Sequence, residues 1–163
     1  MTQEEKQIRM DRMRYTNDKL SANLVLAAIV LDALYFVSIY QTDVGSYYYN
    51  WVIGASIIYN LLFMLTAFLC SEGVKSRKGG YPVALIVIGL MQFARIFYLP
   101  ARAYAAVVDV NGNLLPAMKA GQHTYVVICL IVSGVCCVAA AVNSMIKSAQ
   151  LKQYLQSVEN KTV

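Results

Sequence analysis

Four polar residues interrupt long apolar stretches of the chain, and their types could support chemistry: Asp32, Asn60, Gln92 and Arg95. A charged side chain near the middle of a bilayer costs about 2.5–3.5 kcal/mol on insertion scales, so such residues usually face other helices and find a partner. An acid and a base can neutralise each other there, while the two amides complete their hydrogen bonds. We therefore expect the four side chains to form one intramembrane polar cluster.

Three interpretations of this cluster follow from the sequence. The favoured one is structural: Asp32 and Arg95 neutralise each other, and the cluster fixes the register of the helices. The second is a site for an ion, a proton or a substrate headgroup. The third is an interface with a membrane helix of another protein.

The elements that must position these residues are long apolar runs. The chain of 163 residues is 58% hydrophobic, above the roughly 45–50% apolar content of soluble domains. Because lipid offers the backbone no hydrogen-bond partner, runs that cross it must be helices. The sequence predicts an all-α, integral membrane four-helix bundle over residues 21–146. Its helices are long enough for a ~30 Å hydrocarbon core and lie at about 21–40, 48–70, 82–99 and 125–146.

The basic residues flank these runs unequally and predict the orientation. Eleven of the fourteen Lys and Arg residues lie in the amino tail (1–20), the second connection (71–80) and the carboxyl tail (147–163). Only Arg102 and Lys119 lie in the connections on the other side. Because cytoplasmic loops carry the excess of Lys and Arg, we expect both termini in the cytoplasm. The expected location of the protein is a bacterial plasma membrane. The amino tail is predicted to be a solvated lead-in rather than a surface helix, and the carboxyl tail to be helical.

Two connections carry turn signals. Gly73 is predicted to end the second helix, ahead of a tight basic turn. The long outer connection, 101–123, contains Asn111-Gly112-Asn113 and is predicted to be a projecting helical hairpin rather than a β-hairpin. Asp109 with Asn111 and Asn113 begins like a calcium loop, but the glycine is misplaced and no Glu closes the motif, so we expect no metal site.

The fourth run carries small residues at every fourth position, in two neighbouring rows. Small residues at this spacing let helix backbones approach closely. Packing within the chain is the favoured interpretation, and a face for a second copy or a partner is the alternative. The rows consist of Ser133, Cys137 and Ala141, and of Cys136, Ala140 and Ser144.

The remaining chemistry that side chains could support is sparse. The four cysteines form no C-x-x-C motif and are interpreted as small apolar core residues. The single histidine, His123, is expected at the membrane interface rather than at a cofactor. We expect no enzyme activity, no metal, no other cofactor and no nucleic-acid partner, since the basic residues flank apolar runs instead of lining one helix face.

Two functions are therefore predicted. The first is an accessory or assembly subunit that packs against a larger membrane protein, such as a transporter, through the fourth helix or the outer hairpin. The second is a homo-oligomeric small transporter or channel that uses the Asp–Arg cluster. Besides the lipid bilayer, the expected partner is another membrane protein or a second copy of the chain.

Overall fold

The computed structural model describes residues 3–5, 7–8, 11, 18–40, 51–76, 78–104, 106–108, 114–116 and 118–162. Five helices and two short strands follow one another in the described chain. In order they are α1 (Lys19–Tyr40), α2 (Trp51–Lys75), α3 (Tyr81–Ile96), α4 (Leu99–Tyr104), β1 (Ala106–Val108), β2 (Leu114–Pro116) and α5 (Ala120–Thr162). The predicted start of the second helix at residue 48 and the calcium-like loop at 109–113 lie outside the described residues.

Four of the helical segments are long and apolar enough to cross a membrane, as predicted. α1 and α2 each provide 22 residues, and the third segment runs through α3 into α4, from Tyr81 to Ala101. The fourth segment covers Ala120–Ser157 and is longer than the predicted 125–146. At 1.5 Å per residue the 43 residues of α5 extend about 64 Å, roughly twice the hydrocarbon thickness.

The four long helices pack with their small and polar residues inward and their large aliphatic residues outward. α1 lies against α2 and α5, and α3 lies mainly against α5; of these neighbouring pairs and the α2–α3 pair, α2 and α3 share the smallest contact. Leu61, Leu65 and Leu90 are each more than half exposed. This reversal of the soluble pattern suits lipid, which solvates apolar side chains but not polar ones.

Two buried clusters divide the interior along its length. One is centred on Ala28, Phe63 and Cys137. The other surrounds Tyr35 and Leu130 and reaches the end of the molecule where α4 begins. The Asp32 side chain is buried on α1 between Ala28 and Tyr35 in the chain, so the polar cluster lies where the two apolar regions meet.

The turn between α2 and α3 corrects one prediction. α2 continues to Lys75, so Gly73 does not end the helix. A Cβ at Gly73 would lie 2.2 Å from the Tyr81 ring, so glycine is needed because this ring packs directly on the α2 backbone. Pro82 follows in the first turn of α3. Backbone N–H groups in a first turn have no partner within the helix, so the N–H that proline lacks costs no hydrogen bond.

The outer connection corrects a second prediction. The chain continues as the short helix α4, but beyond it β1 and β2 pair antiparallel, with Val107 opposite Leu115. The predicted helical hairpin is therefore wrong, and this part is a two-stranded β ladder. Two short apolar runs flank Asn111-Gly112-Asn113, and an Asn-Gly pair in that setting is a strong hairpin signal.

The amino tail is helical at its described positions, 3–5, 7–8 and 11, and the side chains there are exposed. The sequence predicted a solvated lead-in without this helix. The carboxyl tail continues α5 as far as Thr162.

Candidate functional site

Asp32 and Arg95 form a buried ion pair between α1 and α3. One terminal nitrogen of Arg95 donates to Asp32 Oδ1 at 2.8 Å, and the side chains are 0% and 6% exposed. The depths agree: Asp32 lies about 20 Å into α1 and Arg95 about 21 Å into α3, at 1.5 Å per residue. The structure thus places the two predicted charges in direct contact.

Both predicted amides complete this pair. Gln92 Nε2 donates to Asp32 Oδ1 at 3.0 Å, and its own Oε1 accepts from Arg95 at 3.5 Å. Asn60 Oδ1 on α2 accepts from the second terminal nitrogen of Arg95 at 2.5 Å. The four predicted residues therefore form one hydrogen-bonded cluster that joins three helices.

Two tyrosines that were not predicted as site residues also hold the guanidinium. The central carbon of Arg95 lies 4.3 Å from the ring centroid of Tyr35 and 4.9 Å from that of Tyr59. A cation over an aromatic face gains about 2 kcal/mol or more when both are desolvated. The position of Tyr35 carried a signal, since it follows Asp32 by three residues and shares its helix face.

The cluster is neutral and nearly closed. Asp32 and Gln92 are completely buried, and Asn60 is 1% exposed. One carboxylate oxygen, Asp32 Oδ2, has no hydrogen-bond partner among the described residues. A neutral pair with two amide partners can hold three helices in register, while the open oxygen leaves one acceptor for a small donor.

Arg95 also lines a groove on the outside of the helices. A cavity of about 330 Å³ lies between α2 and α3, and its lining includes Ser56, Tyr59, Ala94 and Arg95. The groove lies along the α2–α3 seam, where the contact is smaller than in the other neighbouring helix pairs. Arg95 is therefore the cluster member nearest to the surrounding medium.

The small-residue rows of α5 lie inside the molecule. Five of the six residues are buried, and Cys136 is half-buried. Ser133 donates to the Ala28 carbonyl oxygen of α1 at 3.0 Å. The backbones of α3 and α5 approach closely at Gly89 and Gly134. A Cβ added at either glycine would lie 3.2 Å or less from atoms of the facing helix. A partner would have to bind α5 elsewhere.

A second polar cluster, absent from the sequence predictions, ties α1 to the two helices beside it. Asp18 is completely buried and accepts from the backbone N–H of Ser21 at 3.3 Å, as a helix cap does. Lys147 of α5 forms an ion pair with Asp18 at 2.8 Å, and Asn143 donates to Ser21 Oγ at 2.6 Å. The Asp18 backbone N–H donates to the Lys75 carbonyl oxygen of α2.

This cluster could have been suspected from local pattern. Asp18 directly precedes the first apolar run, which is a preferred position for a capping residue. Asn143 and Lys147 are one turn apart on α5 and face it together. Local pattern could not predict the contact between Asp18 and Lys147, because the two residues are 129 positions apart in the chain.

The pKa of Asp18 makes part of the stability dependent on pH. Burial raises this pKa, but hydrogen bonds from Lys147 and Ser21 and the charge of Lys147 lower it more, so it lies below its ordinary value. A carboxylate with a lowered folded-state pKa stabilises the fold above the unfolded pKa and loses that effect as the pH falls through the folded pKa.

We expect Asp18→Asn to lower the stability by about 1–2 kcal/mol at pH 7, because Asn keeps the cap but loses the charge. The wild-type melting temperature should then fall toward that of the variant below about pH 4. Thermal unfolding in detergent between pH 3 and pH 7 measures both. Asp11→Asn, in the exposed tail, is the matched control, and a constant gap between wild type and Asp18→Asn at every pH would contradict the expectation.

Other chemical groups stay apart. The four cysteines are free thiols, and no group of three metal-ligating side chains occurs among the described residues. The His123 ring stacks on Tyr104, with ring centroids 4.5 Å apart. This contact joins α5 to α4 at the end of the molecule opposite Asp18.

Comparison of the chain with protein-family models, with curated proteins and with solved structures returns no match. The class of protein therefore follows from the fold and the site alone. Four apolar helices of spanning length, with their charged residues paired inside, define a multi-pass membrane protein.

Proposed function

We propose that this protein is a non-catalytic accessory or assembly subunit of a larger membrane complex, such as a transporter. The supporting observation is that the Asp32 and Arg95 charges are paired with each other, with two amides and with two tyrosine rings. A transport site needs charges that a substrate can reach and that change partners during the cycle. Here most of the hydrogen-bonding capacity is already used within the chain.

The proposal includes an orientation. The protein is a four-helix bundle in a bacterial plasma membrane, with both termini in the cytoplasm. The excess of Lys and Arg on one side supports this orientation. The contact between Asp18 and Lys147 adds support, because it brings the start of α1 and the later part of α5 to the same end.

The part of α5 that extends beyond the bilayer is the surface we assign to the partner. Residues 147–162 project about 24 Å at 1.5 Å per residue. Leu151, Tyr154 and Leu155 are half-buried and share one face of this extension, so an apolar stripe continues beyond the membrane. The predicted alternative, the small-residue face, is buried inside the molecule.

The test is gentle extraction of the tagged full chain from its native membrane, followed by mass determination of the intact complex. We expect a larger membrane protein in fixed stoichiometry, which the double variant Leu151→Glu/Leu155→Glu should lose by at least about tenfold, as expected for a central apolar contact. Gln153→Glu/Gln156→Glu adds the same charges to the exposed face and should retain the partner. A homo-oligomer without any partner would overturn the proposal.

The second candidate function is a homo-oligomeric transporter or channel that uses the polar cluster. It is favoured by one observation, the position of Arg95 on the wall of the α2–α3 groove. Labelling separates the two functions: Ser56→Cys, in a chain whose native cysteines are replaced by Ala, reports whether water reaches the groove. Lys119→Cys, in the exposed connection, is the positive control, and Leu65→Cys, on the exposed apolar surface, is the negative one. Reaction of Ser56→Cys with a membrane-impermeant maleimide would favour transport.

A further inference from the structure

The groove between α2 and α3 continues along the seam as a second cavity. The first cavity, of about 330 Å³, and the second, of about 220 Å³, share Tyr59 and Met91 in their lining. Along α2 the lining runs from Ala55 to Thr66, which is about 17 Å at 1.5 Å per residue. The two cavities therefore form one narrow slot parallel to the helices.

The two ends of the slot differ in chemistry. At one end lie the Ser56 hydroxyl and Arg95. A guanidinium has five N–H donors, and the bonds to Asp32, Gln92 and Asn60 use three of them. At the other end the lining is largely apolar and includes Leu62 and Ile88. The slot therefore suits a molecule with an oxygen-rich end and a hydrocarbon end.

The polar end of the slot lies in one leaflet. Ser56 lies about 8 Å inside Trp51, where α2 begins, and Arg95 about 9 Å inside Ala101, where the third span ends. Thr66 lies about 22 Å from Trp51, a little beyond the middle of α2. A lipid in this leaflet can place its ester groups at the polar end and its acyl chain at the apolar end.

The opening of the slot lies on the outer, apolar surface of the helices. The rim is open to the bilayer, since Met91 is 47% exposed and Leu62 is 56% exposed. A hydrocarbon chain from the surrounding bilayer fits this opening.

We propose that the α2–α3 slot binds a single glycerophospholipid from the leaflet on the β-ladder side, with its ester oxygens at Arg95 and Ser56. Because Asp32 already neutralises Arg95, the site offers hydrogen-bond donors rather than net positive charge. It therefore selects a lipid and not a free anion. This proposal is independent of the accessory-subunit function.

The test uses the full chain in phosphatidylethanolamine vesicles that contain phosphatidylglycerol with a photoactivatable diazirine in its acyl chain. After irradiation, peptide mass spectrometry locates the adducts. We expect them on the seam-lining residues of α2 and α3, at least about fivefold above the other lipid-facing surfaces. Adducts spread evenly over all four helices would overturn the proposal.

Two matched variants sharpen the result. Ala94 and Ala139 are both exposed alanines, but Ala94 lines the slot and Ala139 lines a separate groove between α3 and α5. Ala94→Phe should reduce the α2–α3 adducts at least about fivefold, and Ala139→Phe should leave them unchanged. Met91→Trp fills the rim shared by both cavities and should repeat the loss, with melting temperatures confirming that each variant is folded. Unchanged adducts in Ala94→Phe and Met91→Trp would contradict a lipid in the slot.

Discussion

Asp32→Asn and Arg95→Gln are each expected to destabilise the protein by about 3–5 kcal/mol, more than any other single change at the cluster. Either change leaves one buried charge without its countercharge. The double variant Asp32→Asn/Arg95→Gln leaves no charge and keeps amides that can still exchange hydrogen bonds with Gln92 and Asn60. We expect it to be more stable than either single variant.

Thermal unfolding of the three variants in one detergent measures this effect, together with the yield of folded protein. A loss of 3–5 kcal/mol corresponds to roughly 10 °C for a chain of this size. Asp11→Asn and Lys78→Gln remove one negative and one positive charge at exposed positions and should leave the melting temperature within about 1 °C of wild type. A loss in the double variant equal to the sum of the two single losses would mean that the two charges are not energetically coupled.

Gly89→Leu is expected to separate α3 from α5 and to cost about 3 kcal/mol. An added Cβ would lie 3.1 Å from the Cβ of Cys137 and 3.2 Å from the carbonyl oxygen of Gly134. A backbone oxygen cannot rotate away as a side chain can, so the helices themselves must move. Because α3 carries both Gln92 and Arg95, this movement should also weaken the polar cluster.

Gly54→Leu provides the matched control. Gly54 is helical too, but nothing lies within 4 Å of an added Cβ there. The control should be neutral or slightly stabilising, since leucine favours a helix over glycine by up to about 1 kcal/mol. The measurement is the same thermal unfolding series, with size-exclusion chromatography to detect loss of the compact form. Equal effects at Gly54 and Gly89 would show that helix separation is not the cause.

The sequence was most informative where the bilayer constrains the chain. Helices long enough to span it were predictable because hydrocarbon permits no unpaired backbone, and apolar runs of sufficient length are visible directly. A cluster of Asp32 and Arg95 could be predicted for the same reason, since a charge at that depth requires a partner. Both inferences depend on the solvent and not on details of packing.

The features that were missed depend on contacts between distant segments. Tyr59 could not be assigned to Arg95 without the rotation of α2 about its axis. Gly73 was interpreted from local pattern as a helix end, whereas the Tyr81 ring packing on it is a tertiary contact. The outer connection is a different case: its Asn-Gly hairpin signal is local, and the prediction followed instead the alanines before it, which favour helix in isolation.

The separation of Asp32 and Arg95 by 63 residues imposes an order of events during synthesis. Chains are made at about 5–20 residues per second, so Asp32 exists for roughly 3–13 s before the ribosome adds Arg95. During this interval the acid on α1 lacks its countercharge, and its amide partner Gln92 is added only three residues before Arg95. A nascent chain that stops short of α3 thus carries an unpaired acid on α1. This unpaired acid distinguishes an unfinished copy from a complete one.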